Sequence, residues 1–394
     1  MMKKIPLLFF ALVITASAFA QSKTYTYVSY NVENLFDADG IAVFDDYKTT
    51  DRDGAPQYPK EDVLTKIQHA VQVLKEFNDG KGPDIVAFVE LESDFTPGDE
   101  MSASAFLKKY QQTTLSKMLG EDFNDEIANL PSQLLLLKGM SDAGLWKYEL
   151  AVGKRERKGR GERKKGEKGG RDSRFPRGKE KIKILPVQRA RPILEMWIEI
   201  EGEELVVFNN HWKSGAGSAN MEEIRLQNAE VLRRRLNELL SVNPEQDIII
   251  SGNFNSDYNQ KYRYGFDKTA INDVLRSTGD EQKVANGNSK EVYNLWYELP
   301  VNKRGSDTYR GKWGTLMQIM ISSGMYDNQG LQYIDNSFAV GDMGFNTYSA
   351  SGEPKRWNSA YSGSGYSDHL PVYMQFKVAD KPVVYNNFSV NDDA

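Results

Sequence analysis

The chain has no cysteine, which excludes disulfides, a thiolate metal site and a cysteine nucleophile. Histidine is almost as scarce. His69, His211 and His369 are the only three, too few for a histidine-rich zinc cage. There is no P-loop, no Rossmann glycine fingerprint and no G-x-S-x-G elbow. Beyond the N-terminus, no stretch approaches the roughly 18 consecutive apolar residues of a membrane-spanning helix. No proline- or glycine-rich linker splits the sequence into two self-sufficient halves, and no internal repeat is visible.

What is present points to a folded protein. Of 394 residues, 40% are hydrophobic and 11% aromatic, too many for a wholly disordered chain. The formal charge of −5 conceals an asymmetry: Lys154–Lys183 holds 15 basic and 5 acidic residues, and the remainder is acidic. This stretch has almost no large apolar side chain before Ile182, so it is expected to be a mobile, solvated insert. Its charge also suits a polyanion. At the N-terminus, Lys3 and Lys4 precede an apolar run from Ile5 to Ile14, and Ala18-Phe19-Ala20 follows as a small-x-small cleavage site. Residues 1–20 therefore read as a signal peptide, and an exported protein, periplasmic or extracellular, is expected. Without a cysteine there is no lipoprotein anchor. One domain over 21–378, a disordered tail over 379–394 and a monomeric state complete these expectations.

Short β-branched and aromatic runs recur at Thr24–Tyr30, Asp84–Leu91, Glu204–Asn209, Gln246–Ser251, Leu316–Ser322 and Val372–Val378. Most are continuous rather than alternating, as in strands buried on both faces. Tyr148–Val152 and Ile193–Ile200 are weaker strand candidates. Between the runs, Glu61–Asn78 keeps Val63, Leu64, Ile67, Val71, Leu74 and Phe77 at helical spacing. A second helix is expected from about Met221 to Leu240. Strands alternating with helices indicate a layered α/β fold.

The chemistry-bearing residues cluster where these runs end. Asn31-Val32-Glu33-Asn34 follows the first, Glu90-Leu91-Glu92 the second, and Asn209-Asn210-His211-Trp212-Lys213 the third. Ser251-Gly252-Asn253-Phe254-Asn255 follows the fourth, and Ser367-Asp368-His369 precedes the last. Taken singly, each has a plain structural use, because Asn and Asp cap helices and order turns. Together they sit where layered α/β proteins place their sites. Carboxylate and amide oxygens suit Mg²⁺, Mn²⁺ or Ca²⁺, and histidine and asparagine side chains suit phosphate. Elsewhere, His69 reads as a solvated helix residue, Trp212 as a packing residue, and Tyr309-Arg310-Gly311-Lys312-Trp313 as a phosphate grip, a base-stacking run or a plain surface loop.

In order, YNVENLFD (30–37), DIVAFVELES (84–93), NNHWKSG (209–215), SGNFNSD (251–257), GKWGTLMQIMISS (311–323) and SDHLPV (367–372) resemble the endonuclease/exonuclease/phosphatase family. The resemblance covers about residues 24–378 and is weak from about 95 to 190. It implies a four-layer αββα sandwich like that of deoxyribonuclease I. It also implies metal-dependent hydrolysis of a phosphate-containing substrate, nucleic acid among the possibilities. By position, Glu90, Asn31, Glu33 and Asp368 match the family's metal side. His211 and Asn255 match its phosphate-facing pair, and His369 its terminal histidine. Arg191 and Lys213 are candidates for contacting substrate phosphate.

Two positions depart from the family pattern. Its G-D-F-N motif reads Gly252-Asn253-Phe254-Asn255, and Asn253 cannot serve as a base at neutral pH. Its L-D-Q-I motif reads Leu316-Met317-Gln318-Ile319, so His369 is expected to lose an orienting carboxylate. Asp257 lies close in sequence but is expected to point elsewhere. Loss of a general base costs about two to four orders of magnitude in rate. An impaired hydrolase and a non-catalytic binder of nucleic acid or another polyanion both follow. If Lys154–Lys183 grips nucleic acid, affinity will fall steeply with salt, and deleting the stretch will flatten that slope in a binding titration. An unchanged slope would remove the polyanion role.

Overall fold

The computed structural model describes residues 23–39, 59–92, 101–145, 148–153, 182–287, 290–358 and 363–379. The expected signal peptide (1–20), most of the basic stretch (154–181) and nearly all of the expected tail (380–394) lie outside the described residues.

Two sheets form the body. In the first, β1 (Thr24–Leu35) lies between β2 (Ile85–Leu91), to which it is parallel, and the antiparallel β14 (Val372–Val378). Short strands β12 (Leu331–Tyr333) and β13 (Ala339–Val340) both pair with β14. The second sheet uses β3 (Ile182–Leu185), β4 (Ile193–Ile200), β5 (Glu203–His211), β6 (Asp247–Asn253), β7 (Ser277–Thr278), β8 (Val292–Asn294) and β11 (Met317–Ile321). Its order is β3-β4-β5-β6-β11-β8-β7. A separate hairpin joins β9 (Asp307–Tyr309) to β10 (Lys312–Gly314) through Arg310 and Gly311, both at positive φ.

Alternation along the strands builds the layers. Tyr25 and Tyr27 of β1, Leu205 and Val207 of β5, Ile249 of β6 and Met317 of β11 fill the space between the sheets. The opposite faces bind helices. Val28, Tyr30 and Val32 pack with α1 (Lys60–Leu74) and α5 (Ser132–Asp142). On the other side, Val206, Phe208, Ile248 and Ile250 pack with Ala229, Leu232 and Leu236 of α6 (Ala219–Val242). The result is the expected αββα sandwich. Burying each Leu or Ile side chain contributes about 1.5–3 kcal/mol.

Several expected elements differ in the structure. Residues 148–153 carry no regular structure, so Tyr148–Val152 is not a strand. Tyr148 instead uses its hydroxyl to donate to the carbonyl of Pro83 at 2.6 Å. Ile193–Ile200 is a full strand. Ile182 and Lys183, counted in the basic insert, open β3 instead and pair with Met196 and Glu195. The region before the insert is helical: α2 (Ala103–Lys109), α3 (Leu115–Met118), α4 (Asp125–Ala128) and α5 bury Phe106, Leu115, Ile127 and Leu134–Leu137 against the first sheet. Two short helices, α7 (Gln260–Tyr264) and α8 (Glu281–Ala285), lie after β6 and β7. Helix α1 ends at Leu74, four residues before the expected stop, where Asn78 and Asp79 turn the chain at positive φ.

Asp247, at the start of β6, is 5% exposed and accepts from Leu331 N at 2.7 Å. Burial, with Asp327 and Glu203 nearby, pushes its carboxyl up to about 8. A raised acid pKa means the folded state holds a proton that the unfolded state has released. Its stabilising contribution is therefore complete below the unfolded value, roughly 3.9, and is lost as pH rises through about 8. Chemical denaturation between pH 5 and 9 should show stability falling by at most about 1.4 kcal/mol per pH unit. Asp247→Asn, which keeps the acceptor for Leu331, should flatten that fall.

Candidate active site

The site lies at one end of the sandwich, where the strands deliver their polar ends. Asn31 and Glu33 come from β1 and Glu90 from its parallel neighbour β2. The β1–β2 register shifts between Asn31 and Leu35, and Glu33, Asn34 and Glu90 take positive φ. For residues with a Cβ such angles cost about 1–3 kcal/mol each and persist only where the surroundings impose them. The second sheet meets this end through Asn209, whose amide donates to the carbonyl of Phe88 at 2.8 Å. His211 and Asn253 are register partners on β5 and β6, and Met317 of β11 sits opposite Asn253. Gly252 is required by a close approach: a Cβ there would lie 2.0 Å from the carbonyl oxygen of Asn210.

These positions form two linked groups. In the first, Asn31 Nδ2 donates to Glu90 Oε1 at 2.8 Å, and His211 Nε2 is 3.3 Å from the same oxygen. Asn31 Oδ1 accepts from Glu33 N at 2.8 Å. Glu33 Oε2 accepts from Trp357 N at 2.7 Å, and Arg356 bridges Glu33 (3.3 Å) and Asp368 (3.4 Å). In the second, Asn255 Nδ2 and Arg191 Nη1 each donate to the Trp212 carbonyl at 3.0 Å, which brings both beside His211. Lys213 is exposed at the rim. Asn253 Oδ1 accepts from Asn255 N at 2.9 Å and so holds Asn255 at its φ of 49°.

Charge is tightly balanced here. Burial raises the carboxyls of Glu33 and Glu90, and Asp368 raises both further. Burial and the positive charges of Arg191 and His369 hold the His211 imidazole well below its ordinary value, so it is neutral. His369 behaves oppositely. Burial disfavours its charge, but Asp368, whose Oδ1 lies 2.6 Å from Nδ1, together with Asp307 and Glu90, carries it up to about 10. The expectation that His369 would lack carboxylate support is therefore overturned. Asp257 does point elsewhere, with Oδ1 accepting from Thr315 N at 2.8 Å and pairing with Arg263. Trp212 is a fully buried packing residue, as expected.

Several residues of the site carried no sequence signal. Lys66 of α1 is 2% exposed, donates to the carbonyl of Glu33 and lies 4.6 Å over the Trp357 ring. In sequence it looks like one polar position of an amphipathic helix. Burial pulls its ammonium down to about 7 against the pull of Glu33, Asp368 and Glu90. His69, expected to be solvated, instead has Nδ1 2.6 Å from the carbonyl of Gly365 and stacks on Tyr366, tying α1 to the segment before Asp368. The β9–β10 hairpin leaves Tyr309 and Trp313 exposed, with Arg310 stacked over Tyr309.

Among the described residues, no group of three His, Asp or Glu side chains could hold a metal ion by itself. Asn31 Oδ1 accepts from Glu33 N, which uses one of that oxygen's two lone pairs, and its amide nitrogen supports Glu90. The donor set of Glu90 and Asp368, with Glu33 and Asn31 nearby, suits a hydrated divalent cation held by one or two carboxylates.

A family model described as the endonuclease/exonuclease/phosphatase family matches residues 179–378, just over half of the chain. The chain belongs to that family. No curated protein matches the chain. Among solved structures, it resembles a humanized D. rerio TDP2, at 13% identity over 90% of this chain and 99% of that one, with a TM-score of 0.39. It also resembles an endonuclease/exonuclease/phosphatase family protein from Bacteroides thetaiotaomicron, at 14% identity over 91% and 96%, with a TM-score of 0.38. It spans 66% of a truncated Caenorhabditis elegans TDP2 over 50% of its own length, at 13% identity and a TM-score of 0.33. At these identities and TM-scores, none of the likenesses says anything about substrate.

The loop after His211 is fixed from below by Arg225 of α6, fully buried beside Glu222 at 2.7 Å. Its guanidinium donates to the carbonyls of Lys213, Gly215 and Ala216. Arg225→Met leaves Glu222 as an uncompensated buried charge and should cost about 3–5 kcal/mol in urea unfolding. A loss under about 1 kcal/mol would show that the pair is dispensable.

Proposed function

We propose that this chain is a divalent-metal-dependent phosphoester or phosphodiester hydrolase whose turnover is reduced by Asn253 and Met317. The observation that carries the reading is the gathering of two histidine–carboxylate pairs at one end of the sandwich, His211 Nε2 3.3 Å from Glu90 Oε1 and His369 Nδ1 2.6 Å from Asp368 Oδ1. Phosphoryl transfer needs positioning and charge neutralisation more than covalent help from the protein. In this reading Glu90 and Asp368 would hold a hydrated Mg²⁺ or Mn²⁺, which would supply charge neutralisation at the phosphate and a lowered pKa for a bound water. His369 and Arg191 supply positive charge to the phosphate, and Asn255 and His211 supply neutral N–H donors. Lys213 lies on the approach. Nucleic acid is one candidate substrate, and the N-terminal pattern favours action outside the cytoplasm.

A specific observation favours a second reading. Asn253 is 1% exposed and uses its oxygen to hold Asn255, while its Nδ2 lies 3.4 Å from His369 Nε2. It therefore presents no base where the family has its aspartate, and a non-catalytic phosphate or polyanion binder would keep everything else.

The two readings separate in one assay on DNA and on an activated phosphodiester with Mg²⁺ or Mn²⁺. Turnover by the wild type that is abolished by EDTA and by Glu90→Ala would sink the binder. Activity in the Asn253→Asp, Met317→Asp double mutant alone, about two to four orders of magnitude above the wild-type background, would sink the enzyme.

A further inference from the structure

Asp368 and Glu33 each have one carboxylate oxygen engaged by the fold. Asp368 Oδ1 lies 2.6 Å from His369 Nδ1, and Glu33 Oε2 accepts from Trp357 N at 2.7 Å. The second oxygen of each faces the same side chain. Arg356 Nη2 donates to Asp368 Oδ2 at 3.4 Å and to Glu33 Oε1 at 3.3 Å, and its Nε lies 3.4 Å from that Glu33 oxygen. One guanidinium therefore covers the second oxygens of both carboxylates.

These contacts are loose, whereas the backbone behind them is fixed. The Arg356 side chain is 64% exposed, and its contacts are longer than the roughly 2.7–2.9 Å of a tight charge-assisted hydrogen bond. The main chain on either side is pinned. Lys355 N donates to Asn346 O at 2.9 Å, and Lys355 O accepts from Tyr366 N at 2.7 Å. Asn358 and Ser364 exchange backbone hydrogen bonds at 2.8 and 3.1 Å, and a Cβ on Gly365 would strike the Arg356 carbonyl. The side chain can thus swing away without disturbing the backbone that presents Trp357 N to Glu33.

A divalent cation and this guanidinium seek the same oxygens. Mg²⁺ keeps several waters when one or two carboxylates hold it, so a hydrated ion on Asp368 Oδ2 fills the volume where Arg356 Nη2 stands. Two positive groups that close also repel one another in a partly desolvated site. The neighbouring cations raise no such conflict. Lys66 meets Glu33 through its main-chain carbonyl, and His369 takes Oδ1 of Asp368 and leaves Oδ2.

We propose that Arg356 is a displaceable counter-cation that sets the metal affinity of the site. It clasps Asp368 and Glu33 when no cation is bound, and must leave both before a divalent cation can be held at Asp368. This rests on the metal-dependent reading above, with Asp368 as a ligand, and adds to it a residue that opposes loading.

The test is made on the full chain with Mn²⁺ alone. Arg356→Gln, a change at an exposed side chain, should tighten Mn²⁺ binding in isothermal titration calorimetry about two- to tenfold, as expected for the loss of two exposed ion-pair contacts. In wild-type crystals soaked in Mn²⁺, the anomalous signal of the metal should lie beside Asp368, with the guanidinium withdrawn from both carboxylates. Unchanged affinity in the variant would overturn the proposal, and so would a metal held away from Asp368. A metal on Asp368 with Arg356 still in place would overturn it even if the variant binds more tightly, because the gain is then a plain charge effect. The two readings fail apart. Mn²⁺ bound without displacement of Arg356 removes this proposal and leaves the metal-dependent hydrolase standing, whereas no Mn²⁺ binding by either protein removes both.

Discussion

Three carboxylates, Glu33, Glu90 and Asp368, are drawn out of bulk water at one end of the sandwich, and the local structure follows from the need to offset their repulsion. Lys66 rises from α1 to the main chain of Glu33, Arg356 spans Glu33 and Asp368, and His369 keeps its proton against Asp368. Asn31 turns its amide donor toward Glu90. Asp368 consequently stays ionised, drawn down to about 2 by His369, Arg356 and Lys66 despite its burial. The three cations come from a helix of the outer layer, a loop and the segment before the last strand, so charge balance links elements far apart in sequence.

The same crowding explains where the backbone departs from regular geometry. Positive φ at Glu33, Asn34, Glu90 and Asn255 falls at the strand ends that carry the chemistry. Each turn aims a side chain that a continuing strand would have sent to the opposite face. Hydrogen bonds such as Asn31 Oδ1 to Glu33 N and Asn253 Oδ1 to Asn255 N hold these turns. Asn253 therefore has a geometric function, holding the turn at Asn255.

Much of the fold could be read from sequence because buried strands announce themselves as continuous apolar runs, and six of those expected stand within a few residues of their observed limits. The polar ends of these strands were legible too, since a strand that stops on Asn, Glu or His is conspicuous. What escaped was anything decided by contacts between distant segments. Lys66 looks like an ordinary polar helix position until α1 is laid against β1, and Asp307 looks like a turn residue until the hairpin meets His369. The helices between Ala103 and Asp142 were missed because four short pieces separated by turns show no long 3.6-residue period. Tyr148–Val152 has the composition of a strand, but its tyrosine is spent on the carbonyl of Pro83.

The hub of the side of the site beside His211 is a peptide group: the carbonyl of Trp212 collects Asn255 and Arg191, while its N–H donates to the carbonyl of Asn253 at 2.9 Å. A main-chain carbonyl is present whatever residue occupies the position. Exchanging the indole would disturb the core beneath before it disturbed the convergence of the two side chains. Insertion or deletion near residue 212 would act in the reverse order, sliding the peptide itself out of reach. The site is thus buffered against point substitution at its centre and brittle toward changes in loop length.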